Sequence, residues 1–328
     1  RGLGDVYKRQ VYNENFFKNI DDLSLTATLF ANGVKLTTVA IPDTKGIAPQ
    51  ATKMVKSEAL KSAIEKAEAE HATEEITINF AFASDGSQPL VDKGQVMARQ
   101  QIVLNGYEFD KVDAPANTGS KIEVEETNSY VKVSAERMSV TIGKKTGMID
   151  YLDVDGEPML KFRESMTPEF WRAPTDNDMG AGLQKKFKAW KNPQMDLKNI
   201  DVKKDKKTNS VTILTSFDMP EVQGQMDITY VVFANTGAVK VTEDFKATEG
   251  AKVSDMFRFG MLMQMPYTME KSNYYGRGPI ENYSDRKDCM RIGVYTDDAD
   301  NQYFPYIRPQ ESGTKSDIRW WKQTDATG

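Results

Sequence analysis

The sequence predicts an all-β protein: a small β-sandwich carrying one helix, followed by a second and longer β unit of sandwich or barrel type. Three observations predict it. Short runs of alternating apolar and polar residues recur along the chain, as half-buried strands require. Gly, Pro, Asn and Asp separate these runs at short intervals. Only one long stretch, residues 57–71, carries a helical apolar face.

In chain order, Leu23–Phe30 alternates apolar and polar positions, Ile76–Phe82 does the same, and Val96–Leu104 is a third strand. Between the first two, Ser57–His71 sets Ala59, Leu60, Ala63, Ile64 and Ala67 on one helical face, with Lys and Glu elsewhere. These elements define a first unit over residues 11–104. Residues 105–121 contain Asp110, Asp113, Pro115, Asn117 and Gly119 with no apolar period, which predicts an irregular linker. The second unit, 122–328, opens on strands at Ile122–Val124, Tyr130–Ser134 and Ser139–Ile142. It continues with Val211–Phe217, Met226–Phe233, Val239–Phe245 and Phe257–Met265. The basic run 203–207 between two of them reads as a solvated hairpin tip. A helical turn is expected over Leu183–Lys188, with Phe187 and Trp190 packed beneath the neighbouring loop.

The 328 residues suffice for two cores, and 39% hydrophobic with 28% charged residues is an ordinary globular composition. A net charge of −5 gives no broad reason to bind nucleic acid or anionic membrane, and no apolar run is long enough to span a bilayer. One cysteine excludes an internal disulfide, and one cysteine with one histidine argues against a zinc site. Residues 1–10 lack the apolar core of a signal peptide and read as a cloning or assembly scar. Any native targeting signal is expected to lie outside the sequence, and the compartment stays open.

Three dense segments carry the chemistry. The first, Phe170-Trp171-Arg172-Ala173-Pro174-Thr175-Asp176-Asn177-Asp178-Met179-Gly180, combines an aromatic anchor, a proline and turn-forming acceptors. It reads as a loop presenting carboxylates at the edge of a β structure. The second runs from Tyr274 to Lys287 and contains Gly276-Arg277-Gly278-Pro279-Ile280-Glu281-Asn282-Tyr283-Ser284-Asp285-Arg286. The third joins Arg308-Pro309-Gln310-Glu311-Ser312-Gly313 to Asp317-Ile318-Arg319-Trp320. In order and spacing these segments resemble the C-terminal region of the glycoside hydrolase family 2 β-galactosidases. The resemblance runs from about Val11 to the end and is closest between Phe170 and Trp321.

The resemblance implies an immunoglobulin-like sandwich over 11–104 and a large galactose-mutarotase-like sandwich, cut short at its C-terminus, over 122–328. It implies a piece of a retaining β-galactosidase whose two catalytic glutamates lie in a preceding (β/α)₈ barrel. Such a barrel takes about 250 residues of alternating strand and helix, a pattern this sequence lacks. Hence no catalytic residue, metal ligand or cofactor is expected here, the parent's divalent and monovalent cations belonging to its barrel. The expected partners are that barrel, a β-galactoside or oligosaccharide in the intact enzyme, and further copies of the chain in a homo-oligomer. The segment at Gly180 would lie near the barrel mouth, which makes Asp176, Asn177, Asp178, Gly180 and Gly182 a substrate-proximal loop. Gly180-Ala181-Gly182 is a candidate hinge.

Independent chemistry has weaker support from the residues. Glycoside hydrolysis needs two facing carboxylates, and the candidates are Asp176, Asp178, Glu281, Asp285 and Glu311. Arg277 and Arg286 flank Glu281 and Asp285, and Arg319 follows soon after Glu311. An arginine partner lowers a carboxyl pKa, the wrong direction for a general acid. An arginine–carboxylate lattice tying strand ends together is the expected use, with Asn282 and Trp320 in the same motifs. Mutarotation would call on a histidine, but His71 ends a charged helix and is expected to be exposed. The spacing around Asp176-Asn177-Asp178 does not make an EF-hand loop. Trp171 and Trp320 are expected in the core, with Trp321 facing away from Trp320. A non-catalytic carbohydrate-binding module is the alternative function, and an oligomerisation segment a third. The resemblance puts a sugar-touching tryptophan beyond Gly328, which argues against independent sugar binding.

Overall fold

The computed structural model describes residues 8–109 and 119–327. The scar expected at 1–10 and the linker at 105–121 therefore fall partly outside the described residues. The protein is all-β, with short helices. Two compact units group residues by contact, not chain order: 8–109 with 272–302 and 313–323, and 119–271 with 303–312 and 324–327.

The first unit begins with β1 (Lys8–Tyr12), β2 (Leu23–Ala31), β3 (Val34–Ile41) and β4 (Thr52–Lys56). After α1 (Glu58–Glu70) come β5 (Ile76–Ser84) and β6 (Val96–Asn105). One antiparallel sheet runs β3-β2-β5-β6, and β1 pairs with β4. The alternation in β2 sends Leu25, Ala27 and Leu29 inward, where they meet Ile76, Ile78 and Phe80 of β5 and Leu60, Ile64 and Ala67 of α1. Each large aliphatic chain buried this way contributes about 1.5–3 kcal/mol. Ala59, expected on this helical face, is exposed instead. Ser57 caps α1 by accepting a hydrogen bond from the Leu60 amide, and the His71 amide closes the other end on the Ala67 carbonyl. Asn32-Gly33 links β2 to β3 with φ of 44° and 79°, the two positive angles a tight I′ hairpin needs.

The second unit contains β7 (Glu123–Glu126), β8 (Tyr130–Ser134), β9 (Met138–Gly143), β10 (Ile149–Val154) and β11 (Glu157–Pro158), consecutive neighbours in one sheet. Next in the chain are β12 (Thr167–Glu169), α2 (Asp176–Gly180) and α3 (Leu183–Lys186). A four-stranded meander follows: β13 (Asp196–Asp205), β14 (Ser210–Met219), β15 (Gly224–Phe233) and β16 (Ala238–Ala247). The two sheets share one core of Val131, Val133, Val140 and Ile142 with Val211, Ile213, Met226 and Ile228. The basic run at 203–207 is solvated, but its first three residues belong to β13 and the turn occupies 206–209. The strand expected over Phe257–Met265 shrinks to β17 (Gly260–Leu262), because its partner β12 is only three residues long.

The last three strands, β18 (Lys271–Gly278), β19 (Arg291–Asp298) and β20 (Trp320–Thr324), form a sheet in the order β19-β18-β20. Within the first unit, Gln101 of β6 bonds Ile292 of β19 through both ends of its amide. Its Nε2 donates to the Ile292 carbonyl at 2.8 Å and its Oε1 accepts from the Ile292 amide at 2.7 Å. A side-chain amide thus substitutes for a rung of backbone pairing between two sheet edges.

Candidate functional site

In the second unit the segment after β12 is built on aromatic packing. Phe170 is buried, with its ring 5.2 Å from that of Trp190 and 5.7 Å from that of Phe259. Trp171 is half-buried, short of the core position expected for it, and meets Phe257 edge-on at 4.8 Å. Phe187 and Trp190 are buried as expected, and the Trp190 indole donates to the Ser254 carbonyl at 3.0 Å.

From that base the chain enters α2, a five-residue helix where the sequence suggested a loop. Its cause is a reciprocal cap. The Asp178 amide donates to Thr175 Oγ1 at 3.2 Å while Asp178 Oδ2 accepts from the Thr175 amide at 2.8 Å. Gly182 follows with φ of 70°, a left-handed conformation that suits glycine, whereas Gly180 sits in helical backbone. Of the two glycines, only Gly182 uses the freedom a hinge requires. Asn177, Met179 and Gly180 are exposed and Asp178 is buried.

Arg172 organises the charges here. Its guanidinium lies 4.7 Å from the centre of the Phe257 ring and forks onto both oxygens of Asp178, with Nη2 donating to Oδ1 at 3.1 Å. Its Nε is 3.2 Å from Glu311 Oε2, and Arg258 Nη2 donates to Glu311 Oε1 at 2.7 Å. Arg308 reaches Asp176 Oδ1 at 3.3 Å, and the Asp176 amide donates to the Pro309 carbonyl at 2.8 Å. Burial pushes the Asp178 carboxyl up, but the bonds from Arg172 and Thr175 outweigh it and hold the group below the usual carboxylate range.

A second lattice lies in the first unit. Arg277 pairs with Asp317 through Nε and donates to the Met290 carbonyl from Nη1 at 2.9 Å, while Lys287 Nζ is 3.0 Å from Asp317 Oδ1. The bond from Arg277 leads in holding the Asp317 carboxyl low, with Lys287 assisting against the effect of burial. Glu281 accepts from Arg286 at 3.0 Å and from the Gly313 amide at 3.0 Å. Asn282 is buried and staples two loops: its Nδ2 donates to the Arg277 and Ile280 carbonyls, and its Oδ1 accepts from the Ser316 amide. Asp285 is exposed.

The deepest pair of this lattice went unseen in the sequence. Glu75 is wholly buried, and Arg319 grips both its oxygens, from Nη2 at 2.6 Å and Nε at 2.9 Å. The Tyr275 hydroxyl donates to the same carboxylate at 2.5 Å. Burial lowers the Arg319 pKa, but the hydrogen bond and charge of Glu75 raise it further and prevail. Burial first, and Glu75 second, push the Tyr275 phenol well up. No local pattern announces Glu75.

The lattice therefore exists, with two sequence-local pairs, Glu281 with Arg286 and Asp178 with Arg172, and the rest formed with distant partners. Arg277 takes Asp317 instead of Glu281 or Asp285, Arg319 takes Glu75, and Glu311 takes Arg172 and Arg258. Two further expectations are corrected. Trp320 is 38% and Trp321 41% exposed, so neither is core; the buried aromatics of this sheet are Tyr274 and Tyr275, and Trp321 stacks on Tyr274 at 5.0 Å. His71 is half-buried, with Nδ1 2.7 Å from Glu74 Oε1, and not simply exposed. Among the described residues no group of three or more His, Cys, Asp or Glu could hold a metal ion, and no helix is long and apolar enough to cross a membrane.

The fold and these two lattices define a multi-sheet β-sandwich protein in which four of the five motif carboxylates, Asp176, Asp178, Glu281 and Glu311, are tied to arginine. Comparison with known proteins identifies the family: residues 134–328 match the β-galactosidase small chain, so this chain belongs to that family, and residues 10–105 match β-galactosidase domain 4. It is 29% identical over 324 residues to a β-galactosidase of Lactobacillus delbrueckii subsp. bulgaricus, covering 96% of this chain and 30% of the relative. The β-galactosidase of Priestia megaterium is 24% identical over 323 residues, 98% of this chain and 30% of the relative. That of Kluyveromyces lactis is 31% identical over 243 residues, 70% of this chain and 23% of the relative. The chain thus spans about 30% of the length of the first two relatives.

Proposed function

We propose that this chain is a non-catalytic part of a family 2 β-galactosidase, which in the intact enzyme hydrolyses terminal β-D-galactosides with retention. In this reading the sandwiches buttress the catalytic barrel of the same polypeptide and contribute contacts between its copies. The segment from Asp176 to Gly182 lies at the substrate mouth, with Gly182 as its hinge. The parent's cations belong to the barrel.

One observation carries the reading: of the five motif carboxylates, Asp176, Asp178, Glu281 and Glu311 are each paired with an arginine. Each of these four carboxylates is engaged by a guanidinium instead of facing a second carboxylate, the bonds to Asp178 hold it in the ionised form, and loss of acid/base catalysis alone costs about 10²–10⁴-fold in rate. Asp285 remains, but a single exposed carboxylate does not make the facing pair that the reaction uses.

Hydrolysis of a chromogenic β-galactoside tests this, with the purified chain alone and mixed with a fragment that carries the barrel. The expected result is no turnover alone and turnover on mixing. Turnover by the chain alone overturns the reading. So does a barrel fragment whose activity and sedimentation do not respond to the chain.

A further inference from the structure

Glu243 has no place in either lattice, and its surroundings are unusual for an acid. It lies in β16, the edge strand of the β13-β14-β15-β16 sheet. That strand sends Lys240, Thr242, Asp244 and Lys246 to solvent and Val239, Val241, Glu243 and Phe245 toward the core. The register sets Glu243 opposite Ile228 of β15, with Met226 and Tyr230 paired to its neighbours Phe245 and Val241. All three β15 side chains are fully buried. The carboxyl thus interrupts an otherwise apolar row, and its Oε1 is shut off from solvent with no hydrogen-bond partner among the described residues.

Among the described residues, the groups that act on this row are a phenol, a hydroxyl and a second acid. From β15 comes the Tyr230 phenol, which burial and then the Glu243 charge push up. From β14 comes Thr215, its hydroxyl donating to the Ile228 carbonyl at 3.4 Å. From β10, Asp150 adds a second negative charge near Tyr230. Trp190 packs on Phe245 at 5.1 Å. An ionised carboxylate left unpaired in such a row is costly, and taking up a proton relieves the cost.

We propose that Glu243 is a proton-linked latch on the edge of this sandwich: it packs as the neutral acid, and its ionisation loosens β16. Burial alone pushes its pKa up to about 7. The sign of the linkage follows. An unfolded glutamate ionises near about 4.3, so between that pH and about 7 the unfolded state sheds the proton first. Stability therefore falls as pH rises through this window and levels off above it. Above pH 7 the native strand carries the charge, and its amides exchange faster.

The test is urea unfolding of the whole chain and of Glu243→Gln from pH 5 to pH 8, with hydrogen exchange of residues 238–247 at both ends of the range. Subtracting the variant cancels the titration of other groups. The expected result is a folded-to-unfolded ratio that drops at least about ten-fold more in the native sequence than in the variant. Exchange in β16 should rise with pH, beyond its intrinsic dependence, in the native sequence only. Equal slopes in the two proteins, or β16 exchange that tracks the variant's, overturn the proposal. Should Glu243→Gln fail to fold, Glu243→Met carries the same comparison, because it also removes the titrating group.

Discussion

Arg172 reaches Asp178 six residues further along the chain, whereas Arg319 reaches Glu75 across 244. Both arginines fork onto a carboxylate beside an aromatic ring, yet the pairs differ in what remains if the arginine is removed. The Asp178 carboxylate keeps the bond from the Thr175 amide, and the reciprocal cap to which it belongs also shapes α2. The Glu75 carboxylate, with no solvent exposure, keeps only the Tyr275 hydroxyl among the described residues. The first pair is a local element reinforced by charge, and the same arginine also ties it to the distant Glu311. The second ties residues distant in the sequence into one core, and its cost of failure is the desolvation of a bare carboxylate.

The sharpest way to break this contrast is Arg319→Ala, which should destabilise the first unit by about 3–5 kcal/mol in urea unfolding. The double replacement Glu75→Gln with Arg319→Met should recover most of that loss, since no charge is then stranded. A double variant no better than the single one would mean that packing, not the buried charge, sets the cost.

Arg172→Ala should cost less, about 2–3 kcal/mol, and open residues 172–182 to limited proteolysis. Equal losses at Arg172 and Arg319 would erase the distinction between local and distant pairing.

The acid limb separates the lattices from Glu243. Asp178 and Asp317 sit below their ordinary pKa in the folded state. Their contribution is present in full above the unfolded carboxylate range, about pH 4, and is lost as pH falls through the folded values. Asp178→Asn should lower stability near neutrality and flatten its fall below about pH 4. An unchanged acid limb in this variant would show that Asp178 is not held ionised.

The smallest effect expected is that of Thr175→Ala, about 1 kcal/mol from loss of the α2 cap. Circular dichroism and urea midpoints would measure it, and a loss as large as that of Arg172→Ala would make the cap, not the charge, the main support of this segment.

Much of the β architecture was legible because alternation is a local signal. Residues 23–30, 76–82, 130–134, 211–217 and 226–233 all fall inside observed strands, and the helical face at 57–71 folds as α1. The strand β3 escaped notice because its largely exposed residues alternate weakly, and the Asn32-Gly33 turn that leads into it went unread as well. Edge strands such as β13 are missed for the same reason, since one polar side leaves little apolar period. The Trp320 expectation failed because a tryptophan on an edge strand can lie along the surface, while Tyr274 and Tyr275, adjacent on the central strand β18, are both fully buried.

By itself the sequence determined an all-β chain, three motif segments of fixed spacing and the use of their carboxylates in arginine pairs. Alternation, turn chemistry and charge proximity act over a few residues, so they can be read along the chain. The tertiary structure alone decided which arginine meets which acid, that residues 272–302 and 313–323 pack with the first sandwich, and that Glu243 turns its Oε1 inward with no partner among the described residues. Those outcomes depend on burial, which competes over the whole fold: a charge is stabilised or stranded by whatever the distant chain places beside it.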